Sequence, residues 1–525
     1  MKAHLLFEKR DIDLGLELPR QGEALEQDLG LGTLLDVMAA GDPYVRLVAE
    51  RLLLNGLTDP EEIRYRQDVL ADCLQKPEVA RELYSLAVAA QESKKEARFF
   101  LFHDSPETQL SKSLRMLELL LDVIRRLRAF ADREEGSFRS VGLRGLVATI
   151  QAELDDEYLA AVEQNLRELR FKRGPLISAR LGRGNRGMAH ALRKPFGRGL
   201  LERITPGGPR RYSFSVPSRD ENGLRALGEL RGRGLVRAAD AIGQATAHIL
   251  SFFTMLQAEA GFYVACVNLY ERLRERDEPT CFPTPRPAEE GAFNVRGLYD
   301  AALAFHLASR VVGNDVDANE MKLVMITGAN EGGKSTFLRS VGIAQLMMQT
   351  GMFVPATELT ASVGKGLFTH FSREEDASMT HGKLDEELNR MSTVAETIEP
   401  GSIVLCNESF SSTNESEGSE IARQLICAFE ESGVRTFYVT HLYDLAKGFH
   451  DQGREDILFL RAERGENGSR PFKLREAPPL PTSFGADSYR RIFGKELSAG
   501  REVGDGRAPA ALPAPGRSDA ASKLS

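Results

Sequence analysis

KLVMITGANEGGKSTFLRSVGIAQLMM, residues 322–348, is an apolar run that ends in a glycine-rich loop, and the loop opens a helix. Inside it, Gly328-Ala329-Asn330-Glu331-Gly332-Gly333-Lys334-Ser335 satisfies G-x-x-x-x-G-K-[ST], the pattern of a phosphate-binding loop, with Thr336 next in line. The chemistry needs each part. Glycines let main-chain N–H groups curl around an anion, and the following helix adds the partial positive charge of its N-terminus. Lys334 is placed to reach the β- and γ-phosphates, and the Ser335 hydroxyl to ligate Mg²⁺. The loop therefore predicts binding of a nucleoside triphosphate, ATP with Mg²⁺.

Working outward, the texture after Phe293 is one of alternating strands and helices, the pattern of a parallel sheet. Strands are expected at Leu323–Thr327, Ser402–Cys406 and Thr436–Thr440, and helices at Ser335–Gln349, Leu384–Ile398 and Glu417–Ser432. Upstream the periodicity is helical. Leu117, Leu120, Leu121, Ile124 and Leu127 recur at three- and four-residue spacing, and Pro43, Pro60 and Pro77 fall where helices start or stop. A second helical stretch, Leu224–Leu273, is long enough for one extended helix whose aromatic stripe (Phe252, Phe253, Phe262, Tyr263) reads as core. The fold class is thus mixed: an all-α helical half over residues 1–290, an α/β P-loop half over 291–498, and a Pro/Ala/Gly/Ser tail over 499–525 that cannot bury a core. The proline-rich CFPTPRPAEEGAF marks the hinge between the halves.

The chain has 525 residues, enough for about three or four domain-sized units. Its five cysteines (Cys73, Cys266, Cys281, Cys406, Cys427) are odd in number and form no C-x-x-C, which excludes a disulfide framework and a zinc site and points to a reducing compartment. No uninterrupted apolar run approaches a membrane span, and the start is too short in apolar residues for a signal peptide, so a cytoplasmic protein with no membrane partner is expected. The net charge of −8 is unevenly distributed. Arg167–Arg211 holds thirteen basic residues against Glu168 and Glu202, a local +11 that leaves −19 on the rest. Within this basic insertion, 167–215, Arg173, Arg180, Arg183, Arg186, Arg193, Lys194, Arg198, Arg210 and Arg211 suit phosphate contacts on DNA. Its end, RRYSFSV, alternates like a short strand.

A phosphate loop also needs a metal-side oxygen and a residue to organise water. SIVLCNESF provides both at the expected carboxyl end of a strand: Asn407 keeps an acceptor oxygen for Mg²⁺ without the charge of an aspartate, and Glu408 joins Ser335 and Asn407 as a metal-side candidate and can orient or deprotonate water. TFYVTHL ends in Thr440-His441, which puts His441 near a γ-phosphate.

Together these stretches resemble the MutS mismatch-repair ATPases. GANEGGKST is similar to the family's GPNMGGKST, MMQTGMFVPA to its G-x-[FY]-V-P-A, and GLFTHFSREED to its IFTRIGAxDD. NESFSSTNESEG resembles DEIGRGTSTFDG at Glu408, Thr413 and Gly418; Thr440-His441 takes the place of the family's Thr-His; LTDPEEIRYRQDVL (57–70) resembles its helical core. The resemblance implies a long-helix lever feeding an ABC-like ATPase that works as a homodimer, each partner completing the other's site. It also implies that the basic insertion is a clamp that closes on DNA. Departures are Asn407 for aspartate, Ala329 and Glu331 in the loop, and HGKLDEELNRM where the family's trans loop reads G-R-S-T-F-M-x-E-M, with Gly382 at the serine and Lys383 as its substitute. The start of the chain near the helical core leads us to expect no mismatch-reading domain of the usual kind. The reading is a weak Mg²⁺-dependent ATPase that engages DNA; a nucleotide-gated switch or scaffold with negligible hydrolysis is the alternative.

Overall fold

Proline starts four of the helices in the first half, because its missing N–H costs nothing in a first turn. They are α3 (Pro43–Leu54), α4 (Pro60–Gln75), α5 (Pro77–Arg98) and α6 (Pro106–Arg133), with the side chains of Asp42, Asp59 and Ser105 capping α3, α4 and α6. They follow α1 (Gly22–Leu29) and α2 (Leu31–Ala39) and precede α7 (Val141–Glu153) and α8 (Asp156–Leu169). The computed structural model describes residues 1–13, 15–98, 105–171, 174–194, 212–373, 382–465 and 469–481. Arg173, Arg198, Arg210, Arg211 and the tail expected over 499–525 lie outside the described residues.

The expected extended helix is present as α9 (Glu221–Arg274), about 80 Å long at 1.5 Å per residue. Phe252, Phe253, Phe262 and Tyr263 are buried in the core it shares with the shorter helices. An 18-residue window of α9 has a mean hydropathy of 1.4, enough for a membrane span by composition, but 67% of it is buried in the helical half, where it packs as core. The basic insertion departs from expectation. Its strands are β1 (Leu176–Leu181) and β2 (Gly187–Arg193), an antiparallel hairpin, whereas the described part of RRYSFSV, residues 212–216, carries no strand. Glycines at 182, 184 and 187 supply the turn chemistry that closes the hairpin.

The second half contains two sheets. β3 (Thr284–Arg286), β4 (Phe293–Leu298), β5 (Asn314–Asp317) and β7 (Glu358–Ser362) form one, in the order β3-β7-β4-β5. The other contains β6 (Leu323–Gly328), β8 (Leu367–Phe371), β9 (Ile403–Asn407), β10 (Arg435–Val439), β11 (Ile457–Ala462) and β12 (Leu474–Glu476). Its order is β12-β11-β6-β10-β9-β8, parallel except for β12. Helices α10 (Ala301–Ala304), α11 (Lys334–Gln349), α12 (Lys383–Thr397), α13 (Glu415–Glu431) and α14 (Tyr443–His450) complete the chain. β6, β8, β9 and β10 are mostly apolar and buried because helices cover both faces of the sheet. Register pairs Val439 with both Ile326 and Asn407, so the carboxyl ends of β6, β10 and β9 share one edge.

α11 joins the halves. Its final residue, Gln349, donates through Nε2 to the carbonyls of Leu57 at 2.9 Å and Gly364 at 2.8 Å. The wholly buried Arg66 donates through Nε to the Leu6 carbonyl at 3.1 Å and through Nη1 to that of Thr350 at 3.2 Å, and burial pushes its guanidinium down to about 10. Gly351 turns the chain there at φ 82°, and a Cβ on it would lie 2.4 Å from that of Arg66. The hydrophobic core runs without a break from Leu29 and Leu34 to Val324 and Phe337. Gly351→Ala is therefore expected to lower stability by roughly 2–4 kcal/mol, summing the left-handed penalty and the overpacking, measured by urea denaturation.

Candidate functional site

β6 leaves the sheet at Gly328, whose φ of 108° suits glycine, and a Cβ there would stand 2.8 Å from the Ala462 main-chain nitrogen. The loop also holds Glu331 in the left-handed region at φ 58° and turns into α11 through Gly333 at φ 89°. No side chain caps α11, so the amides of its first turn face the loop's concavity. Lys334, only 5% exposed, folds back so that Nζ donates to the carbonyls of Gly328 and Ala329, each at 3.1 Å. Burial lowers the pKa of its ammonium, the Glu408 carboxylate raises it, and Arg470 lowers it further. Arg470 donates from Nε to the Asn330 carbonyl at 3.2 Å, closing the loop from the β11–β12 side. An uncapped helix start with one buried cation fits a polyphosphate.

The neighbouring strand ends add oxygens. Ser335 Oγ donates to Asn407 Oδ1 at 2.8 Å, so two neutral oxygen donors lie together beside the loop. That pair fits Mg²⁺, which takes oxygen ligands and keeps waters and phosphate oxygens in its shell. Glu408 follows at φ 54°, a strained position that lets its N–H donate to the Val439 carbonyl at 2.9 Å and holds the side chain over the sheet edge. Its Oε2 stands 3.8 Å from His441 Nδ1. The imidazole lowers the carboxylate's pKa against the opposing effect of burial, with Lys334 assisting, and the carboxylate raises that of His441 above the ordinary 6.5. Lys334, Ser335, Asn407, Glu408 and His441 are thus gathered at one edge of the sheet. Gly328, Ala329, Asn330, Glu331, Gly332, Gly333 and Thr336 complete the loop and first helical turn.

Sequence reasoning missed the scaffold beneath Glu408. Glu387 of α12, 2% exposed, accepts from the Phe410 N–H at 3.0 Å and the Ser412 hydroxyl at 3.1 Å, and its other oxygen from the Ser372 hydroxyl at 3.3 Å. His370 bonds through Nδ1 to Ser409 Oγ at 2.7 Å and stacks on Phe410, while burial and Arg390 push its pKa down to about 4, so the ring is neutral. One turn beyond Glu387, Arg390 lies 3.5 Å from Asp28 of α1, which Arg373 also approaches at 3.6 Å. Glu387 lies within the HGKLDEELNRM segment, but nothing in its spacing marks it as buried.

Also unforeseen is a cavity of about 470 Å³ beside Gly333 and Thr336, lined by Tyr299, Leu303, Val311, Val312 and Phe472. Gly382 is the N-terminal cap residue of α12, with Lys383 the first helical residue. The DNA candidates divide. Arg180, Arg183, Arg186, Arg193 and Lys194 lie on or beside the β1–β2 hairpin and not at the sheet edge, Arg193 donating to Ser178 Oγ at 2.9 Å and Lys194 pairing with Glu168 at 2.7 Å. The remaining four lie outside the described residues.

Residues 58–276 match the family described as the MutS2 N-terminal domain, and residues 324–473 match MutS domain V. Endonuclease MutS2 of Thermus thermophilus is 31% identical over 234 residues, 44% of this chain and 30% of that protein. The DNA mismatch repair protein MutS of Alkaliphilus oremlandii is 30% identical over 183 residues, 32% of this chain and 21% of that protein. A probable DNA mismatch repair protein Msh6 of Drosophila melanogaster is 31% identical over 150 residues, 28% of this chain and 13% of that protein. The chain spans less than a third of the length of these relatives.

The charge pair at the sheet edge makes a spectroscopic prediction. His441 should titrate above an ordinary imidazole in an NMR pH series, and Glu408→Gln should bring it down. With the histidine raised, its share of stability is complete below about pH 6.5 and fades as pH rises through the folded value. A second prediction concerns the scaffold: Glu387→Ala strands the Phe410 amide and two hydroxyls, so a loss of about 2–4 kcal/mol is expected on chemical denaturation.

Proposed function

The chain belongs to the MutS family, and from that footing we propose that it is a soluble, cytoplasmic DNA-associated P-loop ATPase that couples ATP binding and slow hydrolysis to engagement of DNA. The observation that carries the reading is the convergence of Lys334, Ser335, Asn407, Glu408 and His441 on one uncapped helix start. Lys334, released from the loop carbonyls, binds phosphate oxygens, and the first-turn amides hold the rest of the anion. Ser335 and Asn407 would supply the protein oxygens for a Mg²⁺ ion, which would neutralise charge on the phosphates. Asn407 carries no charge, so metal affinity falls below that of an aspartate site and turnover is slow. Glu408, kept ionised by His441, orients the attacking water and accepts its proton. His441 touches that carboxylate and so registers the state of the phosphates. The cavity beside Thr336 has the size and apolar walls to receive a nucleoside base.

A homodimer is part of the proposal, with Lys383 at the N-terminus of α12 as the cation offered across the interface. The basic insertion supplies the contact with DNA, in repair or recombination. Asn407 specifically favours a second reading, a nucleotide-gated switch with negligible hydrolysis. ATP turnover measured with duplex, mismatched, single-stranded and branched DNA tests the first. Lys334→Ala should abolish nucleotide binding and turnover, and unchanged turnover overturns the site. Glu408→Gln should trap ATP in a hydrolase and leave a pure switch unaltered.

A further inference from the structure

Three successive carbonyls of the Gly328–Gly333 loop face cations. Lys334 donates to those of Gly328 and Ala329, and Arg470 donates through Nε to that of Asn330 at 3.2 Å. Lys334 is set there by the loop's own helix. Arg470 comes from the connection between β11 and β12, 140 residues along the chain from Asn330. That connection is a built arm. Ala462 pairs with Leu474 at its base, and the Glu463 N–H donates to the Lys473 carbonyl at 2.8 Å. Asn314 of β5 grips it from the other sheet, Oδ1 accepting from the Leu474 N–H at 2.7 Å and Nδ2 donating to the Phe472 carbonyl at 3.2 Å. The Lys473 ammonium adds a bond to the Gly313 carbonyl. Phe472, at φ 57°, passes so near the start of α11 that a Cβ on Gly333 would lie 3.5 Å from its own. The arm thus delivers the Arg470 guanidinium to the loop.

The electrostatics of this arrangement are unfavourable as they stand. Lys334 is almost wholly buried, and of the charges acting on its ammonium the Glu408 carboxylate favours it while Arg470 opposes it. Two cations brought to one loop repel each other, and a neutral carbonyl is a modest acceptor for either. A latch on the Asn330 carbonyl needs no charge, since an amide or hydroxyl on the arm would supply the same donor. A guanidinium beside a buried ammonium suits a multiply charged oxyanion, whose oxygens accept from both and remove the repulsion.

Resting on the nucleotide-binding reading above and extending it, we infer that Arg470 is a second phosphate-binding cation of the site, supplied in cis by the β11–β12 arm. When a nucleoside polyphosphate enters, the guanidinium exchanges the Asn330 carbonyl for phosphate oxygens beside those that Lys334 takes. The arm is then held to the loop through the nucleotide as well as through the protein. Two cations at one loop favour a di- or triphosphate over a monophosphate, because each added phosphate brings charge.

The test follows binding of a fluorescent ATP analogue to the full-length chain by anisotropy at fixed Mg²⁺, together with hydrogen exchange over residues 469–474. The parent protein should bind, and bound nucleotide should slow exchange in the arm. Arg470→Gln, which keeps a donor for Asn330, should weaken binding roughly ten-fold and remove the added protection. Arg470→Lys, which keeps the charge, should restore affinity to within about three-fold of the parent. Affinity indifferent to Arg470→Gln overturns the assignment and leaves the nucleotide reading standing. Tighter binding by Arg470→Gln makes the arginine a latch that the nucleotide must break, and overturns it too. Equal losses in the Gln and Lys variants, with a matching fall in their urea midpoints without nucleotide, assign Arg470 to structure alone and also overturn it. Failure of the parent protein to bind overturns both readings.

Discussion

Helix α11 is committed at both ends, and the rest of the molecule is arranged around that constraint. Its first residue is the buried Lys334, and its last is Gln349, locked between the Leu57 and Gly364 carbonyls. Sixteen residues of helix make a rod of about 24 Å. A rod this short, packed on Leu405 and Leu29 at Gly342, cannot bend gently to absorb motion at one end. Displacement of the Gly328–Gly333 loop is therefore delivered to Arg66, Thr350 and the N-terminal segment that Arg66 holds. The buried guanidinium supports this junction because main-chain carbonyls accept its protons from both sides; without them it would be an uncompensated charge.

The chemistry at the other end depends on strain held by packing. Glu408 and Phe410 both have positive φ, at 54° and 62°, a conformation that side-chain-bearing residues adopt at a cost. The compensation lies in Glu387, which satisfies the Phe410 amide, and in His370, which stays neutral and pins Ser409. A neutral imidazole matters here, because a third cation beside Arg390 and Arg373 would repel both.

Much of this was legible in the sequence, for identifiable reasons. Strand ends at Gly328, Asn407 and Val439 followed from apolar runs of four or five residues that stop at polar ones, and the structure shifts each by no more than one residue. The long helix followed from an apolar stripe too extended for anything else. The hairpin was not legible: fourteen residues, three arginines and three glycines among them, separate Ile177 from its strand partner Leu192, and the seat of Ile177 against Gly234 comes from a helix far along the chain. Nor was Glu387, since burial of a carboxylate depends on what three other segments bring to it. The aromatic Phe472 beside Gly333 arrives from a loop far along the chain, and no local pattern announces that arrival.

A second connection runs parallel to the rod. Asp28 of α1 lies beside Arg390 and Arg373, and α12, which carries Arg390, also carries Glu387 one turn earlier. The loop after Glu408 is thus tied to the helical half by a path of charges centred on the buried Asp28, while the Gly328–Gly333 loop is tied to it by α11. Two attachments from one sheet edge to one helical body leave few relative motions that keep both intact. Rotation of α11 displaces Gln349 from Leu57; displacement of α12 leaves Asp28, itself almost wholly buried, facing fewer cations than its charge requires. The Coulombic path is the less tolerant of substitution at Asp28, which is almost wholly buried and which water cannot reach to replace a lost cation. Displacing that sheet edge therefore strains both paths at once.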